Sequence, residues 1–197
     1  VRELVIDGRR IGDDEPAYVI AEIGGNHGGQ LDTAMALIDV AARAGCAAVK
    51  FQKRAVWSLY SRALLQTPYT SENSYGSTYG EHRDALELSR AQYRACQRAS
   101  EEHGVTCFAT AFDEPSATYL QELGVPAFKI HSGGLTDEPL IRHVAQYGKP
   151  VILSTGGGDL EDIDRAVSWL GDCPHAILHC TASYPLKPED AHLNVIR

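Results

Sequence analysis

Short apolar runs, each introduced by a glycine and followed by small or polar residues and an amphipathic stretch, recur along the chain. They are 46–51 after Gly45, 105–110 after Gly104, 125–130 after Gly124 and 149–154 after Gly148, with 176–180 following Gly171 at longer range. An earlier run, YVIAEIGG at 18–25, has no helix-like segment ahead of it. Each glycine stands where a helix would stop, because it takes up positive φ without a Cβ penalty. Between the runs, apolar residues fall at helical spacing. Leu160, Ile163, Val167 and Leu170 follow Asp159 as a cap, and Leu140, Ile141, Val144 and Tyr147 precede Gly148. Ser89 and Gln92 have the spacing of a capping box, which Leu88 and Tyr93 complete as a hydrophobic staple. Asp7-Gly8 predicts a hairpin near the start.

Strands that are apolar throughout and alternate with helices predict a parallel sheet covered by helices, hence an α/β fold. The exception is 53–84, a Tyr-, Ser- and Gly-rich insertion that reads as a long functional loop. An open doubly wound sheet gathers its polar residues at one switch point, whereas a (β/α)8 barrel spreads them over many strand ends. Here every run ends in chemistry: Glu22 and Asn26, Lys50 and Gln52, Thr110, Lys129 with His131 and Ser132, Ser154 and Thr155, then His179 and Thr181. The pattern predicts a TIM (β/α)8 barrel truncated after about six strands. Residues 1–197 would form a single barrel domain.

Composition narrows the function classes. The 197 residues are 44% hydrophobic and 22% charged, an ordinary globular balance that favours one domain. No apolar run approaches the ~20 residues that cross a bilayer, and the start lacks the pattern of a signal peptide. No membrane association and a cytoplasmic location are the expectation. A net charge of −8 argues against nucleic acid as a partner. The five cysteines are scattered and form no CxxC, which suits reduced, buried thiols better than disulfides or zinc.

The candidate chemistry is anion binding. Lys50 and Gln52 leave one face of their strand, and Lys129 and His131 repeat the spacing. A lysine within an apolar strand is expensive to bury unless it meets an anion. Thr110, Ser132, Ser154 and Thr155 add hydroxyls at the same level, a set suited to phosphate or carboxylate. Gly156-Gly-Gly158 could offer backbone N–H groups, although a plain tight turn is the simpler expectation. Glu22 reads either as a carboxylate of raised pKa working as acid or base, or as an ion-pair partner of Lys50 or Lys129. His27 and His179 lack metal-ligand spacing and are expected to form hydrogen bonds; no metal ligand is assigned.

The segments AEIGGNHGGQLDTAMALIDVAARAGCAAVKFQ, PYTSENSYGSTYGEHRDALELS, FATAF, FKIHSGGLTDEPLI, KPVILSTGG and LHCTASYP, in this order from about Tyr18 onward, resemble the sialic acid synthase family. The resemblance implies a TIM barrel that joins phosphoenolpyruvate to an N-acetylated amino sugar, giving a nonulosonic acid and phosphate. It also implies a divalent metal, Mn or Mg, that polarises the sugar aldehyde. C3 of phosphoenolpyruvate attacks the open-chain aldehyde, water adds at C2, and phosphate leaves by C–O cleavage. Carried over residue by residue, Lys50, Thr110, Lys129, Ser132 and Ser154 bind phosphoenolpyruvate. Gln52, Tyr184 and Asn73 contact the sugar, and Glu22 orients groups at the reacting carbon or moves a proton. A homo-oligomer is expected.

Two departures stand out. Gly134 occupies a position that is usually acidic in the family. The family's metal-binding histidines lie on the seventh and eighth strands, which are expected to be missing here together with any antifreeze-like domain. Two alternatives stay open: a related synthase that uses a sugar phosphate, and a non-catalytic barrel that keeps only phosphoenolpyruvate or phosphate binding.

Overall fold

The computed structural model describes residues 3–196. It opens with the predicted hairpin, β1 (Glu3–Ile6) paired antiparallel with β2 (Arg9–Gly12). Asp7 and Gly8 both have positive φ, 52° and 75°, as a two-residue turn of this hand requires. The alternation then runs β3 (Ile20–Gly24), α1 (Leu31–Arg43), β4 (Ala48–Lys53), α2 (Val56–Leu59), α3 (Arg62–Leu65), α4 (Tyr79–Ala85), α5 (Arg90–Glu102) and β5 (Thr106–Ala111). It continues with α6 (Glu114–Leu123), β6 (Phe128–Ile130), α7 (Glu138–Ala145), β7 (Val151–Ser154), α8 (Leu160–Leu170) and β8 (His175–Leu178). All six predicted strands are present, and Gly45, Gly104, Gly124, Gly148 and Gly171 all have positive φ.

The chain divides into two units, 16–125 and 1–15 with 126–197. In the first, β3, β4 and β5 pair parallel, with Lys50 level with Glu22 on one side and with Phe108 on the other. Val49 and Phe51 are fully buried on one face of β4, while Ala48 and Lys50 are buried on the opposite face. Burial on both faces explains why the strand reads as a continuous apolar run. The capping box of α5 forms as predicted. Ser89 Oγ accepts from the Gln92 N–H at 3.3 Å, Gln92 Oε1 accepts from the Ser89 N–H at 2.9 Å, and Leu88 and Tyr93 are buried. In the second unit β6, β7 and β8 pair parallel. Asp159 caps α8, accepting from the Asp162 N–H at 2.8 Å.

Two expectations change. The 53–84 insertion is not a structureless loop: it holds α2, α3 and α4, and Tyr69 packs on α4, with its ring centroid 4.4 Å from that of His82 and 5.8 Å from that of Tyr79. Leu160 does not join the buried stripe of α8. It is 79% exposed in the first turn, and Ala166 and Leu170 bury the inner face instead.

Candidate active site

In the unit 16–125, Lys50 is a buried cation, 6% exposed in β4. Its ammonium donates to Thr110 Oγ1 at 2.5 Å and to the Phe51 carbonyl at 3.3 Å, and pairs with Glu22 Oε2 at 2.7 Å. Burial pulls the Lys50 pKa down from the usual lysine range, and the Glu22 carboxylate pulls it back up. Of the two readings of Glu22, the ion pair holds. Its side chain is also half exposed rather than buried among apolar residues. The result is an ion pair with one member inside the protein and the other facing out.

Gln52 lies two residues further along the same face, and its amide oxygen accepts from Arg54 Nη2 at 2.6 Å. Arg54 is 8% exposed and lies 3.8 Å over the Phe112 ring. Behind it, the Glu87 carboxylate, 11% exposed, accepts from Lys53 Nζ at 2.5 Å and from the Arg54 backbone N–H at 3.2 Å. Tyr93 Oη donates to the Gln52 carbonyl at 2.5 Å, anchoring the strand end. Sequence reasoning missed Arg54 and Glu87. The 50, 52, 54 alternation was available as a signal for the arginine, but nothing local pointed to a partner 33 residues away.

His27 is 2% exposed and forms hydrogen bonds, as expected. Its Nδ1 accepts from the Gly29 N–H at 3.0 Å, and burial holds its pKa below the ordinary histidine value against a backbone hydrogen bond at Gly24. Asn73 lies exposed in a turn of the insertion.

In the unit 1–15 with 126–197, Lys129 is 7% exposed; its Nζ donates to Ser154 Oγ at 2.5 Å and to the Ile130 carbonyl at 2.6 Å. Ser132 Oγ accepts from the Gly156 N–H at 3.0 Å, and Gly158 N–H donates to the Thr155 carbonyl, so the glycine run is the tight turn expected. His179 Nε2 is hydrogen-bonded to the Ala191 carbonyl at 2.8 Å. Tyr184, expected to contact sugar, is 98% exposed. Gly134 is buried in a 3-10 turn (Ser132–Gly134), where a Cβ would lie 2.9 Å from Ile130 Cγ2. The backbone path here therefore suits glycine, and an acidic side chain would need Ile130 to move.

Among the described residues no three His, Cys, Asp or Glu side chains converge on a metal-sized site, and none of the five cysteines is in a disulfide. The residues present therefore do not themselves build the metal centre that the resemblance implies. No helix among the described residues is long and apolar enough to cross a membrane.

Parallel strands that carry buried lysines and hydroxyls at their ends, separated by covering helices, define an α/β protein of the (β/α) barrel class, here with six such strands among the described residues. Residues 37–197 match the model of the NeuB family. Human N-acetylneuraminate-9-phosphate synthase is 40% identical over 191 residues, which cover 96% of this chain and 53% of that protein. The N,N'-diacetyllegionaminic acid synthase of Legionella pneumophila is 34% identical over 194 residues, covering 94% and 54%. The crystal structure of N-acetylneuraminic acid (sialic acid) synthetase from Leptospira borgpetersenii, in complex with citrate, superposes with a TM-score of 0.83 at 32% identity, over 98% of this chain and 64% of that one. The chain belongs to the NeuB family, and it spans about half the length of the curated relatives it matches.

Proposed function

We propose that the protein containing this chain condenses phosphoenolpyruvate with an N-acetylated amino sugar of the N-acetylmannosamine type, yielding a nonulosonic acid and phosphate, and that residues 1–197 belong to its barrel domain. The observation that carries the proposal is the Glu22–Lys50–Thr110 cluster. It is a buried ammonium held by a half-exposed carboxylate and a hydroxyl, within a chain whose relatives are named as synthases of such acids. In this reading Lys50 and Thr110, and in the other unit Lys129, Ser132 and Ser154, serve phosphoenolpyruvate binding. Fixed cations and hydroxyls of this kind hold the anionic groups so that C3 meets the aldehyde carbon, and they favour the charge that develops as the C–O bond breaks. In the same reading Glu22, paired with Lys50, orients groups at the reacting carbon or moves a proton there. Gln52, Asn73 and Tyr184 are assigned to the sugar. A divalent metal would polarise the aldehyde oxygen, and no step is assigned to it on these residues. A cytoplasmic location and a homo-oligomeric state belong to the same proposal.

The test is to incubate the full-length gene product with phosphoenolpyruvate, manganese and either N-acetylmannosamine or its phosphate ester. Phosphate release is followed and the product weighed by mass spectrometry. Phosphate released in step with a nonulosonic acid supports the proposal; preference for the ester identifies the phosphorylated branch. Phosphoenolpyruvate that binds but is never consumed would favour the non-catalytic alternative.

A further inference from the structure

Lys53 already neutralises Glu87, at 2.5 Å, so the Arg54 guanidinium is not needed to balance that carboxylate. Its closest charged contact, Nη1 to Glu87 Oε1, is 3.8 Å, whereas its closest bond is the 2.6 Å contact to the uncharged Gln52 amide. A guanidinium has only donors, so the Gln52 oxygen must face it and the NH2 must face away. The direction of that NH2 is visible at Gly24. A Cβ there would lie 3.3 Å from Gln52 Nε2 and 3.0 Å from Glu22 Oε1, so the amide donor looks over Gly24 beside the Glu22 carboxylate. Arg54 is itself fixed by the Phe112 ring at 3.8 Å and by its own backbone N–H on Glu87.

We infer that Arg54 is a positioning residue: by occupying the Gln52 amide oxygen it commits the Gln52 NH2 to donating to an acceptor oxygen of the amino sugar, a hydroxyl or the acetamido carbonyl. The inference rests on the function proposed above. It adds a specificity rule, since a sugar lacking that acceptor oxygen leaves a buried-side donor unpaired and is discriminated against.

The test uses the full-length gene product with phosphoenolpyruvate and N-acetylmannosamine as probes. Arg54→Met is expected to raise the KM for the sugar by about three- to tenfold, the range for one lost hydrogen bond, with the KM for phosphoenolpyruvate within about twofold of wild type. Combined with Gln52→Ala, it is expected to add nothing further, because both changes remove the same donor. A matching rise in both KM values, or full additivity with Gln52→Ala, overturns the inference. Should Arg54→Met fail to fold, Gln52→Glu decides: it accepts from Arg54 as before but cannot donate, so sugar KM rises with thermal stability retained, and an unchanged sugar KM overturns the inference. If the wild type turns over no amino sugar, the functional reading falls instead. The positioning role is then read from crystal structures of wild type and Arg54→Met, or of Gln52→Glu where the first variant does not fold. A Gln52 amide that leaves its single orientation once Arg54 is gone supports the role, as does a carboxylate in Gln52→Glu that keeps the Arg54 bond. A Gln52 unmoved without Arg54, or a carboxylate in Gln52→Glu turned away from the guanidinium, overturns it.

Discussion

Replacing Glu22 with Gln removes one charge from the Lys50 pair while keeping shape and a neutral hydrogen-bond acceptor. At the observed 2.7 Å the pair attraction runs from about 1.5 kcal/mol in a water-like surrounding to about 6 kcal/mol at an effective dielectric of 20. The carboxylate is 52% exposed, so solvent screening pulls the figure toward the lower bound, and the bonds from Lys50 to Thr110 and Phe51 survive. A loss of about 1–2 kcal/mol at neutral pH is expected. The pH dependence gives the sign. Burial holds the Lys50 pKa below that of an unfolded lysine, and losing Glu22 lowers it further. Between the folded and unfolded pKa values the unfolded chain binds more protons, so stability rises with pH across that window, and the window is wider in the variant. The deficit of Glu22→Gln should therefore shrink as pH climbs toward 10.5, where a neutral amine no longer needs a counter-charge. Urea unfolding of the full-length gene product and its variant, at about pH 7 and about pH 10, measures it. An equal deficit at both pH values, or none at neutral pH, would refute the electrostatic reasoning.

Gly134→Ala should lose about 1–3 kcal/mol in thermal unfolding, because its Cβ meets Ile130 in a buried turn; wild-type stability would show that Ile130 yields freely. At Gly29, φ is +75° and a Cβ would fall 2.0 Å from the Ala85 carbonyl, so Gly29→Ala should lose ~2 kcal/mol or more and reduce soluble yield. An undiminished yield and melting temperature would contradict the close approach between the β3 loop and the end of α4. Lys129→Ala should weaken phosphoenolpyruvate binding by about 1.5–3 kcal/mol in titration calorimetry, the loss of a charge-assisted bond, and unchanged affinity would remove Lys129 from the site.

The strands and their polar ends were legible because a parallel strand covered on both faces must be apolar until it emerges, and Lys50 and Lys129 interrupt that rule visibly. Caps were legible for the same local reason: Ser89 with Gln92 and Asp159 ahead of α8 satisfy backbone donors within one turn. Helices of four residues, such as α2 and α3, are too short to show a period, so the insertion read as loop. Leu160 misled because spacing identifies a helical face but not where the neighbouring layer ends. The Glu87 partner of Arg54 comes from 33 residues away, an approach that no local pattern encodes. The two readings of Glu22 needed a distance to separate them.

A crystal structure of the full-length gene product soaked with phosphoenolpyruvate bears most directly on the account. It should show an anionic oxygen of the ligand within hydrogen-bond distance of Lys129 Nζ and Ser154 Oγ, with the Lys129 side chain still buried in β6. Phosphoenolpyruvate bound elsewhere, with the Lys129–Ser154 bond intact and no ligand oxygen against either group, would contradict it.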